Sequence, residues 1–144
     1  MKRLPTLYLI FFFLSSSPLF SATLTVSSNP TTLIISTAAA GQDPNSATNT
    51  STTYSLSTST NVSTITGKIA SNMPTNTTLQ ISLAAPEGAT SLGLVTMTAN
   101  AANLVTGIST NTVASGKTIT YTFSATAAAS VVTNATKTVT FILQ

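Results

Sequence analysis

The chain has 144 residues, with 5 Lys and Arg against 2 Asp and Glu, no His, no Cys, and a formal net charge of +3. Charged residues make up 5% of it, against roughly 25% in an average globular protein. That composition rules out disulfide staples, removes most of the residues that acid-base and transition-metal chemistry draw on, and leaves no basic stripe to neutralise nucleic-acid phosphates.

In chain order, Lys2 and Arg3 come first, followed by an apolar run from Leu7 to Leu14. Ser15, Ser16, Ser17 and Pro18 break the run, and the small residues Ser21 and Ala22 follow. This is the layout of a secretory signal peptide. The run is shorter than the roughly 20 residues that cross a bilayer. Residues 1–21 are therefore expected to be a signal, cut after Ser21 or Ala22, with 22–144 as a single domain. That domain carries Lys68, Lys117 and Lys137 against Asp43 and Glu87, so it is close to neutral. It is expected to be exported to the periplasm, the cell surface or the medium, with no membrane span of its own.

Beyond the signal, a two-residue period dominates, the mark of half-buried strands. Leu24 and Val26 alternate with Thr23 and Thr25, and Leu33, Ile34 and Ile35 form a short apolar run. The stretch from Thr37 to Thr53 is rich in Ala, Asn, Ser and Thr and reads as a long surface loop or a mobile stretch. Tyr54 and Leu56 begin another strand. Val62 and Ile65 are out of phase, which predicts a bulge before Gly67 and Ile69. Leu79, Ile81 and Leu83 alternate cleanly. Leu92, Leu94, Val95 and Met97 change phase, and Leu104, Val105 and Ile108 make a short piece. The cleanest run is Thr118 to Thr126, with Ile119, Tyr121, Phe123 and Ala125 on one side. Val139, Phe141 and Leu143 close the chain in the same manner.

Asn29-Pro30, Gly41 to Asn45, Asn72-Met73-Pro74, Pro86-Glu87-Gly88 and Ser115-Gly116 read as turns between these runs. The Ala-rich pieces at 38–40 and 127–129 are too short to hold a helix alone. The pattern predicts an all-β fold, a two-sheet antiparallel immunoglobulin-like sandwich of seven to nine strands. Its core is expected to hold Leu56, Ile69, Leu79, Ile81, Leu83, Ile119, Tyr121, Phe123, Val139 and Phe141. On that basis, Phe123→Ala or Phe141→Ala should cost about 3 to 5 kcal/mol.

No motif points to catalysis. A serine nucleophile needs a base beside it, and only Lys68, Lys117 or Lys137 could serve. Asp43 and Glu87 sit in turn-like sequence and read as loop charges rather than a glycosidase pair. Asp43 is also the one place for a weak calcium site, short of the usual acidic ligands. Gly116-Lys117-Thr118 looks like the end of a P-loop, but Asn111 stands where that motif needs Gly and a strand follows where it needs a helix. It reads as a hairpin entry. Asn49, Asn61, Asn76 and Asn134 begin Asn-x-Ser/Thr triplets, which arise readily by chance in such a composition. No catalytic residue, cofactor or metal ligand is assigned, and no nucleic-acid partner.

Both ends of the domain alternate, and Asn29-Pro30 sets the first apart from the rest. With the signal, the size and the Thr/Ser/Ala/Asn composition, the chain resembles cysteine-free pilin subunits of chaperone-usher fimbriae. These are exported sandwiches completed by a strand from a neighbour. The resemblance implies Leu24 and Val26 as donor side chains, and Val139, Phe141 and Leu143 as the strand that a chaperone grips. Leu143-Gln144 stands where many pilins carry an aromatic residue.

The expectation is thus an exported, non-enzymatic sandwich acting as a self-contained binding or structural module at the surface or in the periplasm. The alternative is a fimbrial-type subunit assembled by strand exchange, and a Ser-Lys hydrolase is a remote third. A protein partner or self-assembly is expected in the first two cases.

Overall fold

The structure, a computed structural model, describes residues 22–59, 62–130 and 136–144. The expected signal peptide, Asn61 and Asn134 lie outside the described residues. The described chain is all-β: β1 (Thr23–Val26), β2 (Ala47–Ser57), β3 (Thr64–Ile69), β4 (Thr77–Leu83), β5 (Thr90–Ser91), β6 (Val95–Thr96), β7 (Ala102–Thr106), β8 (Val113–Ala125) and β9 (Val139–Leu143). A five-stranded sheet runs in the order β1-β2-β8-β4-β6, and a four-stranded sheet in the order β5-β7-β3-β9. Every pairing is antiparallel. After β2, each connection passes from one sheet to the other, so the strands of each sheet are brought together by distant parts of the sequence.

The two-residue period sorts side chains between core and solvent. On the five-stranded sheet, Tyr54 and Leu56 of β2, Ile119 and Tyr121 of β8, and Leu79, Ile81 and Leu83 of β4 are buried. Ile65 and Ile69 of β3 and Leu104 and Val105 of β7 meet them from the other sheet, with Met97 and Ile108 from adjoining segments. On the five-stranded sheet, Ser55, Ser82 and Thr120 between these positions are only partly buried, as suits hydroxyl side chains on the outer face of a strand, whereas Thr66 of β3 is buried.

Three bulges adjust the frame. On β8, Leu56 pairs with Ala114 while Tyr54 pairs with Lys117, so β8 carries one extra residue there. Gly116, at φ +62°, absorbs it, as a left-handed glycine does in this kind of bulge. The expected turn at Ser115-Gly116 is therefore a kink inside one long strand. On β2, the extra residue falls between Asn49 and Thr52, where Asn49 Oδ1 accepts from Ser51 N at 3.1 Å and from Ser51 Oγ at 2.9 Å. The bulge expected before Gly67 proves to lie on β7. Ile65 pairs with Val105 and Thr66 with Asn103, so the neighbours Leu104 and Val105 are both buried.

Other expectations shift as well. The stretch expected to be a loop from Thr37 to Thr53 is strand from Ala47 onward, because β2 pairs with β8 through small and polar residues that carry no apolar alternation. Leu33, Ile34 and Ile35 form no strand. The run from Leu92 to Met97 yields only the two-residue strand β6. Of the expected core, Phe123, Val139 and Phe141 are half-buried rather than buried.

Two tyrosines anchor the interior. Tyr54 Oη donates to Ala84 O at 2.6 Å, reaching past β8. Burial pushes its phenol from 10.0 up to about 12. Burial raises Tyr121 also; the nearby Thr52 hydroxyl works the other way, although Thr52 Oγ1 makes no hydrogen bond of normal geometry. The folded state holds the Tyr54 proton to higher pH than the unfolded chain does. Its contribution to stability is therefore full below pH 10.0 and lost as pH rises toward about 12. Thermal melts across that window should show falling stability in the parent and a shallower fall in Tyr54→Phe. Equal slopes would remove Tyr54 as the cause.

Candidate functional site

β9 ends the four-stranded sheet, and among the described residues no strand lies on its far side. Its inner neighbour is β3, with Gly67 opposite Phe141 and Lys68 opposite Thr140. The ladder bonds fix which way its backbone points. Ala70 N donates to Thr138 O at 3.0 Å, and Gln144 N to Thr64 O at 2.9 Å. Backbone groups on an antiparallel strand alternate between its two edges. Thr138, Thr140, Ile142 and Gln144 thus face β3, and the N–H and C=O groups of Val139, Phe141 and Leu143 face the free edge.

The same residues turn their side chains inward, where they pack against the core without being fully covered by it. Beside them lies an open groove of ≈ 1540 Å³, walled by Leu79, Tyr121 and Phe123 of the five-stranded sheet and by Val139 and Phe141 of β9. Residues 28–44, which join β1 to β2, run along its remaining side. Val139, Phe141 and Leu143, named together from the sequence, share one face of β9. Nothing in the sequence showed that Phe123 and Leu79 complete the wall, because both look like ordinary core positions.

Leu24 and Val26, the other expected exchange residues, lie on β1 at an edge of the five-stranded sheet, opposite Leu56 and Tyr54. Leu24 is half-buried against the core, and Val26 is 43% exposed. β1 is a short edge strand.

The polar candidates disperse. Glu87 is exposed in the turn after Pro86. Asp43 Oδ1 accepts from Ala127 N at 2.7 Å, so one of its oxygens is committed to the backbone. Among the described residues no three His, Cys, Asp or Glu side chains gather as a metal site would require. Lys137 does meet a serine. Its Nζ donates to Ser71 Oγ at 2.9 Å and to Asn72 O at 2.7 Å. Sequence spacing could not have found this pair, which joins the segment after β3 to the one before β9. A lysine serving as a base must sit neutral in a dry site. Here the Nζ is engaged by a hydroxyl and a carbonyl, and the two bonds tie the segment after β3 to the one before β9.

No protein-family model, curated protein or solved structure matches the chain.

Proposed function

We propose that the protein is an exported, non-enzymatic structural module. It binds an extended apolar segment of a protein partner by strand addition to the free edge of β9. One observation carries this reading: among the described residues, Val139, Phe141 and Leu143 turn backbone groups without a ladder partner to the edge, and the half-buried side chains of Val139 and Phe141 line an open groove. A strand laid there gains ladder hydrogen bonds and drops alternate apolar side chains into the gap, the general logic of β-augmentation. An unprotected edge of this kind is otherwise an aggregation hazard.

The order β1-β2-β8-β4 follows the A-B-E-D order of an immunoglobulin-type sheet, and β3 beside β9 follows C beside F. On that correspondence, the free edge of β9 is where a strand G would lie. The strands on the other side of β3 depart from it, since β5 and β7 follow β4 in the chain. The correspondence and the alternating ends favour the strand-exchange reading over the self-contained module. The partner we propose is a second copy of the chain, whose β1 would leave its pairing with β2 to donate Leu24 and Val26. The charge pattern of residues 1–21 supports export.

Size-exclusion chromatography with light scattering tests the reading on residues 22–144 beside a version starting at Thr31. The longer chain should form stable oligomers and the shorter one should not. If both run as folded monomers, and a peptide of residues 22–37 fails to slow amide exchange at Val139, Phe141 and Leu143, strand addition is wrong and the sandwich is complete in itself. The hydrolase alternative would return only if a serine-reactive phosphonate labelled Ser71 in the folded protein.

A further inference from the structure

We infer that residues 28–44 are a strap that covers the groove in the free protein and must swing aside before a strand can seat along β9, an inference that rests on the strand-addition reading. The segment forms one wall of the groove. Leu33 packs against the core and Ile35 is half-buried, while Ile34 between them is 69% exposed. That is the alternation of a strand. Yet the segment belongs to neither sheet. It fills space with two aliphatic side chains and supplies none of the backbone hydrogen bonds that the edge of β9 lacks.

Its attachments are few and sit near its ends. At the β1 end, Ser27 N donates to Thr53 O at 2.9 Å and Thr53 N to Ser27 Oγ at 3.0 Å. Asn49 Nδ2 donates to Thr31 Oγ1 a little further on. At the far end, Gly41 turns the chain at φ +76°, and Asp43 Oδ1 holds the Ala127 N–H at 2.7 Å. Between them, Thr37 O accepts from Asn45 N at 3.3 Å and Thr37 Oγ1 from Asn45 Nδ2 at 3.5 Å, which closes the loop on itself, and Ala38 to Ala40 offer no side chain that could grip the rest of the domain. Asp43 is therefore the latch, and its bond is of the charge-assisted kind that outweighs a neutral one. A strand with the same apolar spacing would replace Leu33 and Ile35 and add the ladder bonds they do not make, so exchange favours the incomer. Until then the strap shields the apolar wall from unwanted pairing.

The test measures association of a fluorescent peptide of residues 22–37 with the parent protein and with Asp43→Ala, Asp43→Asn and Leu33→Thr. Asp43→Ala breaks the latch and should speed association roughly ten-fold, the factor expected from one charge-assisted hydrogen bond. Asp43→Asn keeps an acceptor oxygen for Ala127 N–H but loses the charge, so its rate should fall between the parent and Asp43→Ala. Leu33→Thr loosens the strap from the core and should also speed association. Amide exchange at Leu33 and Ile35 should quicken in Asp43→Ala without peptide. If all variants bind at the parent's rate while the peptide still protects Val139, Phe141 and Leu143, the strap does not gate the groove and strand addition stands. If the peptide protects those amides in none of the proteins, strand addition itself fails and the strap inference falls with it.

Discussion

Ile119→Ala is expected to lower stability by about 3 to 5 kcal/mol, near the top of the range for a buried aliphatic residue. Ile119 is fully buried in β8, between Thr52 of β2 and Leu83 of β4. Removing its side chain leaves a void that paired strands on both sides cannot close. Phe123, two positions along the same face of β8, has the larger side chain but is half-buried and lines the groove. Phe123→Ala and Phe141→Ala should each cost roughly 1.5 to 2.5 kcal/mol, about half the amount for a buried phenylalanine. Urea unfolding of the three variants measures the gradient. If Phe123→Ala costs as much as Ile119→Ala, the groove end is as well packed as the centre, and the case for an incomplete sandwich weakens.

Gly67→Val should be more damaging still and should leave little folded protein. A Cβ at Gly67 would stand 2.7 Å from Leu104 Cδ1, with Met97 Sδ and Phe141 Cδ1 each at 3.5 Å. Leu104 is itself fully buried, so its side chain must shift within a packed core to admit the new carbon. Overpacking one extra methyl typically costs about 1 to 3 kcal/mol, so Gly67→Ala should fold with a lowered melting temperature. Valine adds two more carbons at the same point. Circular dichroism and soluble yield separate the outcomes. A Gly67→Ala variant that melts with the parent would show that Leu104 has room to move.

These two sites also mark where reading the sequence stopped. Ile119 is legible because β8 alternates over many residues and a two-residue period has only one way to put its apolar face inward. The clean runs at Leu79 to Leu83 and at Val139 to Leu143 were legible for the same reason, and they point to an all-β fold whose strands each bury one face. Gly67 is not legible. It reads as a break in a weak strand, and only the closeness of Leu104, Met97 and Phe141 reveals that it is a packing position. The first half of β2 was hidden too, since the facing groups there are Ala47, Asn49 and Thr52, and pairing with β8 rather than apolar burial makes it a strand.

By itself, then, the sequence determined the class of the fold, a hydroxyl-rich composition with few charges and the three alternating apolar side chains of β9. Each of these follows from local period and composition, which act within a few residues. Tertiary structure decided which strands neighbour one another, that β9 falls at an edge, that the long connection 28–44 lies across the gap beside it, and that Lys137 meets Ser71 rather than solvent. Those outcomes depend on contacts between residues far apart in the chain, where alternation specifies which face of a strand is buried and says nothing about its partner.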